Sequence, residues 1–400
     1  VLTVGSLIVF GALGLARFGY GMVLPSMQAA LNLTNTQTGL LATANLLGYM
    51  AMSAIAGAIA SHYGSRIVVT IGLLVAAAGM ALTGAAGGMA ALLVWRAVTG
   101  AASGCVNVPT VGLLPAWFPG RSGFAVGTAV AGQSLGLVAA GLLVPAFVAG
   151  YGNQGWRITW YAFAGMALVL ALLAFLFFHR PQAEQPRPEG GAVRHGMRQV
   201  YRSGAMWHLG ATYTAYGFSY IIFMTYFTKR LVSDIGYTEA HAGTLFMVMG
   251  WCSLLSGVLW GGISDRMGRK WTLAVVYCAH CVAFTLFALW PSTSGVILAT
   301  VLFGFTAWSV PVIMAAASDD VLGPRLCPAG LGFITVFLGL GQAVGPSVAG
   351  ALADAAGGFA VAFLVAAAAA ALGVVGSLTL STARIQSEAC QIPQIEYTSD

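Results

Sequence analysis

The chain has 400 residues, 58% of them apolar and only 7% charged, with a formal net charge of +6. A soluble surface needs roughly 25% charged residues, so this chain cannot cover itself in water, and the low charge excludes disorder as well. What matters is then where each basic residue falls along the chain, and nothing in the net charge asks for nucleic acid.

A helix needs about 20 mainly apolar residues to cross a bilayer. In chain order the runs that meet this are 4–27, 38–60, 66–84, 89–114, 122–148, 156–178, 205–228, 240–263, 271–290, 294–317, 328–353 and 357–380. Runs this long are not barrel strands, so the expectation is an all-α membrane protein with twelve transmembrane helices. The chain begins at Val1, and its first run is too long for the apolar part of a signal peptide, so it reads as a mature first helix. The largest connection, 179–204, holds Pro181, Pro186, Pro188 and five arginines, and reads as a linker. The organisation is therefore 1–178 as one six-helix bundle, 179–204 as a cytoplasmic linker, 205–381 as a second bundle and 382–400 as a cytoplasmic tail.

With both termini placed in the cytoplasm, twelve basic residues fall on the cytoplasmic side. They are Arg66, Arg121, the five linker arginines, Arg266, Arg269, Lys270, Arg325 and Arg384. Only Arg157, Lys229 and Arg230 fall outside. That bias sets the orientation by the positive-inside rule.

Two arginines lie within spans. A charge at that depth costs about 2.5 kcal/mol or more and is a candidate functional group. Arg17 lies about 20 Å along the first span at 1.5 Å per residue, past the midplane. Its face also carries Tyr20. Arg96 lies about two turns into the fourth span. All eleven acids lie outside the middle of the spans. Backbone and hydroxyl groups, or an anion, must then satisfy the two guanidinium groups. A substrate carboxylate suits an arginine well. The plainer alternative is that either arginine bonds carbonyls freed near Pro25 or Pro109.

The other candidates are polar or aromatic residues of later spans: Asn45, Asn107, Gln133, Trp308 and Gln342, with Tyr216 and Tyr220 from the helical row Tyr213, Tyr216, Tyr220. Such a row is also what packing or an interfacial belt produces. His280 reads as structural. Cys278-Ala279-His280-Cys281 lies in an apolar run and reads as buried helix. There is no P-loop, zinc spacing or Ser/His/Asp set, so neither enzyme activity nor a cofactor or metal is expected.

The halves repeat. Gly57-x3-Ser61-His62-x-Gly64-Ser65-Arg66 after the second run matches Gly261-x3-Asp265-Arg266-x-Gly268-Arg269-Lys270 after the eighth. Gly39 maps to Gly243 at the same offset. Gly132-Gln133-x2-Gly136 matches Gly341-Gln342-x2-Gly345, and Gly141 matches Gly350. Parallel repeats of this kind build rocking transporters.

The second loop resembles the signature of the major facilitator superfamily at every position. In the first copy Ser61 stands where that family has an acid and His62 where it has a base. Arg96-x3-Gly100-x3-Gly104 resembles the family's span-four motif. Gly341-x3-Gly345-Pro346-x3-Gly350 resembles its span-five glycine–proline motif but lies in span eleven. In span five Leu137 replaces the proline typical of drug/proton antiporters. Trp117-Phe118-Pro119-Gly120-Arg121 with Ala125-x-Gly127 is similar to monocarboxylate and oxalate/formate carriers. Arg17-Phe18-Gly19-Tyr20 followed by Leu24-Pro25 looks like an uncharacterised bacterial branch of the superfamily.

The resemblance implies two pseudo-symmetric six-helix bundles in a bacterial inner membrane, and a monomer. It implies secondary transport of a small organic anion by alternating access, with a proton or counter-anion as coupling partner. The alternative is an exporter of drugs or hydrophobic metabolites. Gly57, Gly64, Arg66, Gly261, Asp265, Arg266, Gly268, Arg269 and Lys270 are the expected gating residues. Asp265 can accept at a helix N-terminus or pair with an arginine across the two halves. The bases of this set also serve as plain positive-inside anchors.

Overall fold

The computed structural model describes residues 1–118, 121–178 and 200–380. The described part is helical throughout, because backbone polar groups in lipid must be satisfied within the segment. The first half holds α1 (Leu2–Leu31), α2 (Asn35–Tyr63), α3 (Ser65–Ala85), α4 (Met89–Trp117), α5 (Ser122–Tyr151) and α6 (Gly155–Phe177). The second holds α7 (Gly204–Ser233), α8 (Glu239–Ser253 and Ser256–Met267), α9 (Arg269–Leu289), α10 (Thr293–Gly323), α11 (Ala329–Ala356) and α12 (Ala360–Leu378).

Hydropathy alone under-counts these crossings. Among the described residues nine helical stretches pass by length and composition, or ten with bent α8 counted once. One of the nine, Gly123–Phe177, contains both α5 and α6, parted by a turn of 3-10 helix at Gly152–Gln154. The twelfth crossing, α7, is 30 residues long, and its tyrosines and threonines dilute an otherwise apolar helix.

Local signals explain the ends. Thr34 opens α2 with a capping box closed by Gln37. The hydroxyls of Ser203, Thr238 and Ser292 accept at the starts of α7, α8 and α10. Gly323, at φ +72°, breaks the path between α10 and α11.

Three expected spans are not regular helices. The span expected at 4–27 runs from Leu2 to Leu31 and is π-helical over Phe10–Phe18. The span expected at 240–263 bends by 40° between Ser253 and Ser256. The span expected at 294–317 is interrupted at Ala307 and Trp308. These last two breaks answer each other, since the Trp308 backbone N–H donates to Ser256 Oγ at 3.0 Å. Of the expected linker, 179–199 lies outside the described residues, as does the tail from 382. Pro119 and Gly120 of the span-five entry also lie outside them.

The halves meet along three seams: α1 with α7, α2 with α11, and α5 with α8. Here "near side" means the side where α1 begins and α12 ends. On the far side the glycines are pressed against backbone of the opposite half. A Cβ on Gly21 would strike Met224 O, on Gly39 Pro346 O, on Gly141 Gly243 O, and on Gly350 Asn35 O. On the near side, Gly57, Gly64, Gly268 and Gly332 have nothing within 4 Å of that position. The two halves are therefore closed together at the far side and parted at the near side.

Candidate substrate site

The π-helical turn of α1 sets the site. This wider helix carries Arg17 in its last turn and presents the Ala16 carbonyl to Arg96. Arg17 is 8% exposed. It donates to Gln342 Oε1 of α11 and, at 3.4 Å, to the hydroxyl of Tyr220 on α7. Gln342 Nε2 in turn donates to Tyr220 at 2.9 Å. The guanidinium lies 4.7 Å from the ring centre of Tyr49 and 5.2 Å from that of Phe18, close enough for cation–π attraction. Its Nε has no acceptor among the described residues.

Arg96 of α4 is buried deeper, 1% exposed. It donates to Ala16 O at 2.9 Å, a carbonyl of the π-helical turn. Its guanidinium stacks on Tyr20 at 4.5 Å and on Trp160 at 5.3 Å. The expected freed carbonyl thus exists, but the π turn supplies it rather than Pro25 or Pro109. Neither arginine has a carboxylate partner among the described residues. Residues 1–178 contain five arginines and no acid at all, so no acid is on hand in that half.

The structure brings most of the expected residues together. Tyr216 and Tyr220 stack at 4.5 Å, and Tyr213 extends the stack to three rings. Trp308 stands edge-on to Tyr220 at 6.3 Å, packs on Phe18 at 5.4 Å, and donates to Ser134 Oγ at 2.9 Å. Asn107 donates to the Tyr49 hydroxyl at 3.0 Å. Tyr20 is spent on the Thr38 carbonyl, 2.8 Å away, and Asn45 on the Arg96 carbonyl, 3.0 Å away. Gln133 does not share the role of Gln342: it is buried where α5 passes Gly14 of α1. His280 is fully buried among Tyr216, Phe284 and Phe303.

Tyr49 was not among the expected residues. Its only sequence signal is its place one turn beyond Asn45. Arg17, Phe18, Tyr20, Asn45 and Arg96 also line a small cavity with Ile221, Met224 and Thr225 of α7.

Asp265 of the expected gating set bonds within its own half in this state. Its carboxylate pairs with Arg269, 2.5 Å away in its own half, and Arg269 also holds Asp320 at 2.8 Å. Among the described residues Asp265 has no ion pair across the halves, and the near side, where such a pair would form, is parted. Arg66 stacks on Phe175 of its own half at 4.5 Å. Arg266 is exposed, and Lys270 lies 5.8 Å over Trp271.

Twelve helices in two repeated halves, meeting around buried arginines, define a multi-pass membrane transporter of the major facilitator superfamily. Within it the chain belongs to the family described as "Uncharacterised MFS-type transporter YbfB", whose model matches residues 9–378. It is 23% identical over 373 residues to the hexuronate transporter of Bacillus subtilis (strain 168), covering 88% of this chain and 87% of that one. It is 25% identical over 398 residues to the probable sulfoacetate transporter SauU of Cupriavidus necator, covering 91% and 90%. The solved structure of the nucleoside transporter NupG shares the fold, with a TM-score of 0.74 at 15% identity, covering 94% of this chain and 98% of that one.

Proposed function

We propose that the chain is a secondary active transporter of a small organic anion, and that Arg17 is the residue that meets the anionic group. The observation that carries this reading is Arg17 itself: nine-tenths buried, without a carboxylate partner among the described residues, and held only by an amide, a hydroxyl and rings. A buried charge left in that state costs several kcal/mol, and a substrate carboxylate or sulfonate offsets the cost by bidentate bonding. Tyr49 and Phe18 flatten the guanidinium, Asn107 fixes Tyr49, and Tyr220 with Gln342 carries the contact into the other half. Hexuronate and sulfoacetate, named for the two relatives, are both small organic anions. A cationic drug would meet two arginines here, so the site gives the exporter reading nothing.

On this reading the termini and near side are cytoplasmic in a bacterial inner membrane, and the protein faces inward. The anion exchanges for a counter-anion or travels with a proton. The far-side seams open when α1, α2 and α5 rock away from α7, α11 and α8. The test is a thermal-shift screen of the purified protein against carboxylates, sulfonates, inorganic anions and cationic drugs, repeated on Arg17→Gln. A ligand of the folded state raises the melting temperature by mass action. Stabilisation by an organic anion that disappears in Arg17→Gln supports the reading. Stabilisation by cations, unchanged in the variant, contradicts it.

A further inference from the structure

The cavity that Arg17 and Arg96 both line is too small for an anion of hexuronate size. Its volume is about 20 Å³, room for one water-sized body. It lies on the far side of the Arg17–Gln342–Tyr220 contact. Tyr20, Gly21, Met224 and Thr225 line it, all later in α1 and α7 than Arg17 and Tyr220. The close approach of Gly21 to the Met224 carbonyl covers it on that side.

The chemistry of its walls is one-sided. Arg17 and Arg96 both border the cavity. Each is more than nine-tenths buried, and each has an Nε with no acceptor among the described residues. The amide N–H of Asn45 is committed to the Arg96 carbonyl. No lining residue is an acid. A water molecule can accept from these donors but leaves two positive charges bordering one cavity uncompensated at low dielectric. A carboxylate or sulfonate neutralises them but does not fit. A monatomic anion neutralises them in the least space of any anion.

We propose that this cavity is a binding site for an inorganic anion of halide size, chloride under ordinary conditions, held between Arg17 and Arg96. The inference stands on the cavity and holds whether or not Arg17 also carries an organic anion on its near side. The ion is held by both guanidinium groups while α1 and α7 meet, and is released when they part on the far side.

The direct test is equilibrium binding of radiolabelled chloride to the purified full chain at constant ionic strength. Saturable binding that bromide displaces and sulfate does not, weakened at least tenfold in Arg96→Gln, is the expected result. Because that variant can fail to fold, wild-type crystals soaked in sodium bromide give a second reading. An anomalous peak within hydrogen-bond distance of both guanidinium groups supports the site. Absence of saturable chloride binding, or bromide peaks only elsewhere, overturns it. If organic anions bind while chloride does not, the ion site fails and the substrate reading survives. If chloride binds and no organic anion does, the ion site stands alone.

Discussion

Thr36 gives both its backbone N–H, at 2.8 Å, and its hydroxyl, at 2.6 Å, to the carboxylate of Asp354 in the other half. Asn35 N adds a third bond at 3.0 Å. The last turn of α11 thus caps the first turn of α2 across the seam, with the charge on the favourable end of the helix dipole.

This clasp holds the far side shut, so Asp354→Asn should loosen it. Bonds to an ionised acceptor are worth about 1.5–3 kcal/mol, and an exposed site retains about 1 kcal/mol of that. The expected shift is about fivefold toward the state open on the far side. Spin labels on Asn153→Cys and Ser294→Cys, both at the far rim, would report a longer distance. Thr36→Val, which keeps the backbone bonds, should shift it less.

The glycine seam makes a paired prediction. A side chain at Gly39 strikes the Pro346 carbonyl, and one at Gly243 strikes Gly141 and Pro145. Gly39→Val and Gly243→Val should each block far-side closure and abolish transport while the protein still folds. Gly57→Ala, where nothing lies within 4 Å, should leave far-side closure intact. Uptake assays beside far-rim thiol labelling separate the three.

Tyr49 gives a graded test of the site. Tyr49→Phe loses the bond from Asn107 but keeps the ring against Arg17, so affinity should fall only a few-fold. Tyr49→Ala loses the ring as well. A desolvated cation–π contact is worth up to about 2 kcal/mol, so the fall should be about tenfold or more. Titration calorimetry with the anion found in the thermal-shift screen measures both.

Arg230 predicts stability rather than transport. It donates to Phe287 O at 2.9 Å and Ala288 O at 2.6 Å, closing the end of α9, and pairs with Asp234 at 3.3 Å. Asp234 also accepts from Phe359 N at the start of α12. Arg230→Met should therefore free two carbonyls and an acid and cost about 2–4 kcal/mol. Unfolding in mixed micelles would show the loss, with substrate affinity unchanged.

Particular residues show what the sequence could and could not convey. Gly39 and Gly243, matched by the repeat, prove to be equivalent points of two seams, as do Gly141 and Gly350. Small residues are needed there for backbones to touch, and that need is written in composition. Arg17 and Arg96 were legible because charge inside a span is rare and costly. Tyr49 was not, because a tyrosine in an apolar helix has many uses and only its neighbours reveal this one. The break in α10 was legible, because Pro311 cannot donate to the Ala307 carbonyl one turn back, and the Tyr216 hydroxyl donates to that carbonyl instead. The break in α8 carries no proline, and Ser256 there accepts from Trp308 N across two helices, a tertiary effect. The π turn of α1 keeps the apolar pattern of an α-helix and leaves no periodicity of its own. The partner of Asp265 depends on which side is closed, and a sequence does not encode one state over the other.

On the proposed reading, Arg17 meets an organic anion in transit. Its most direct test is counterflow in proteoliposomes loaded with unlabelled carboxylate or sulfonate, comparing wild type, Arg17→Gln and Arg17→Lys. Losing one partner of a buried charge pair costs about 3 kcal/mol or more, equal to about a hundredfold. Saturable anion uptake is expected in wild type, with loss by about that factor in Arg17→Gln and partial recovery in Arg17→Lys. Equal anion uptake by all three proteins would contradict it.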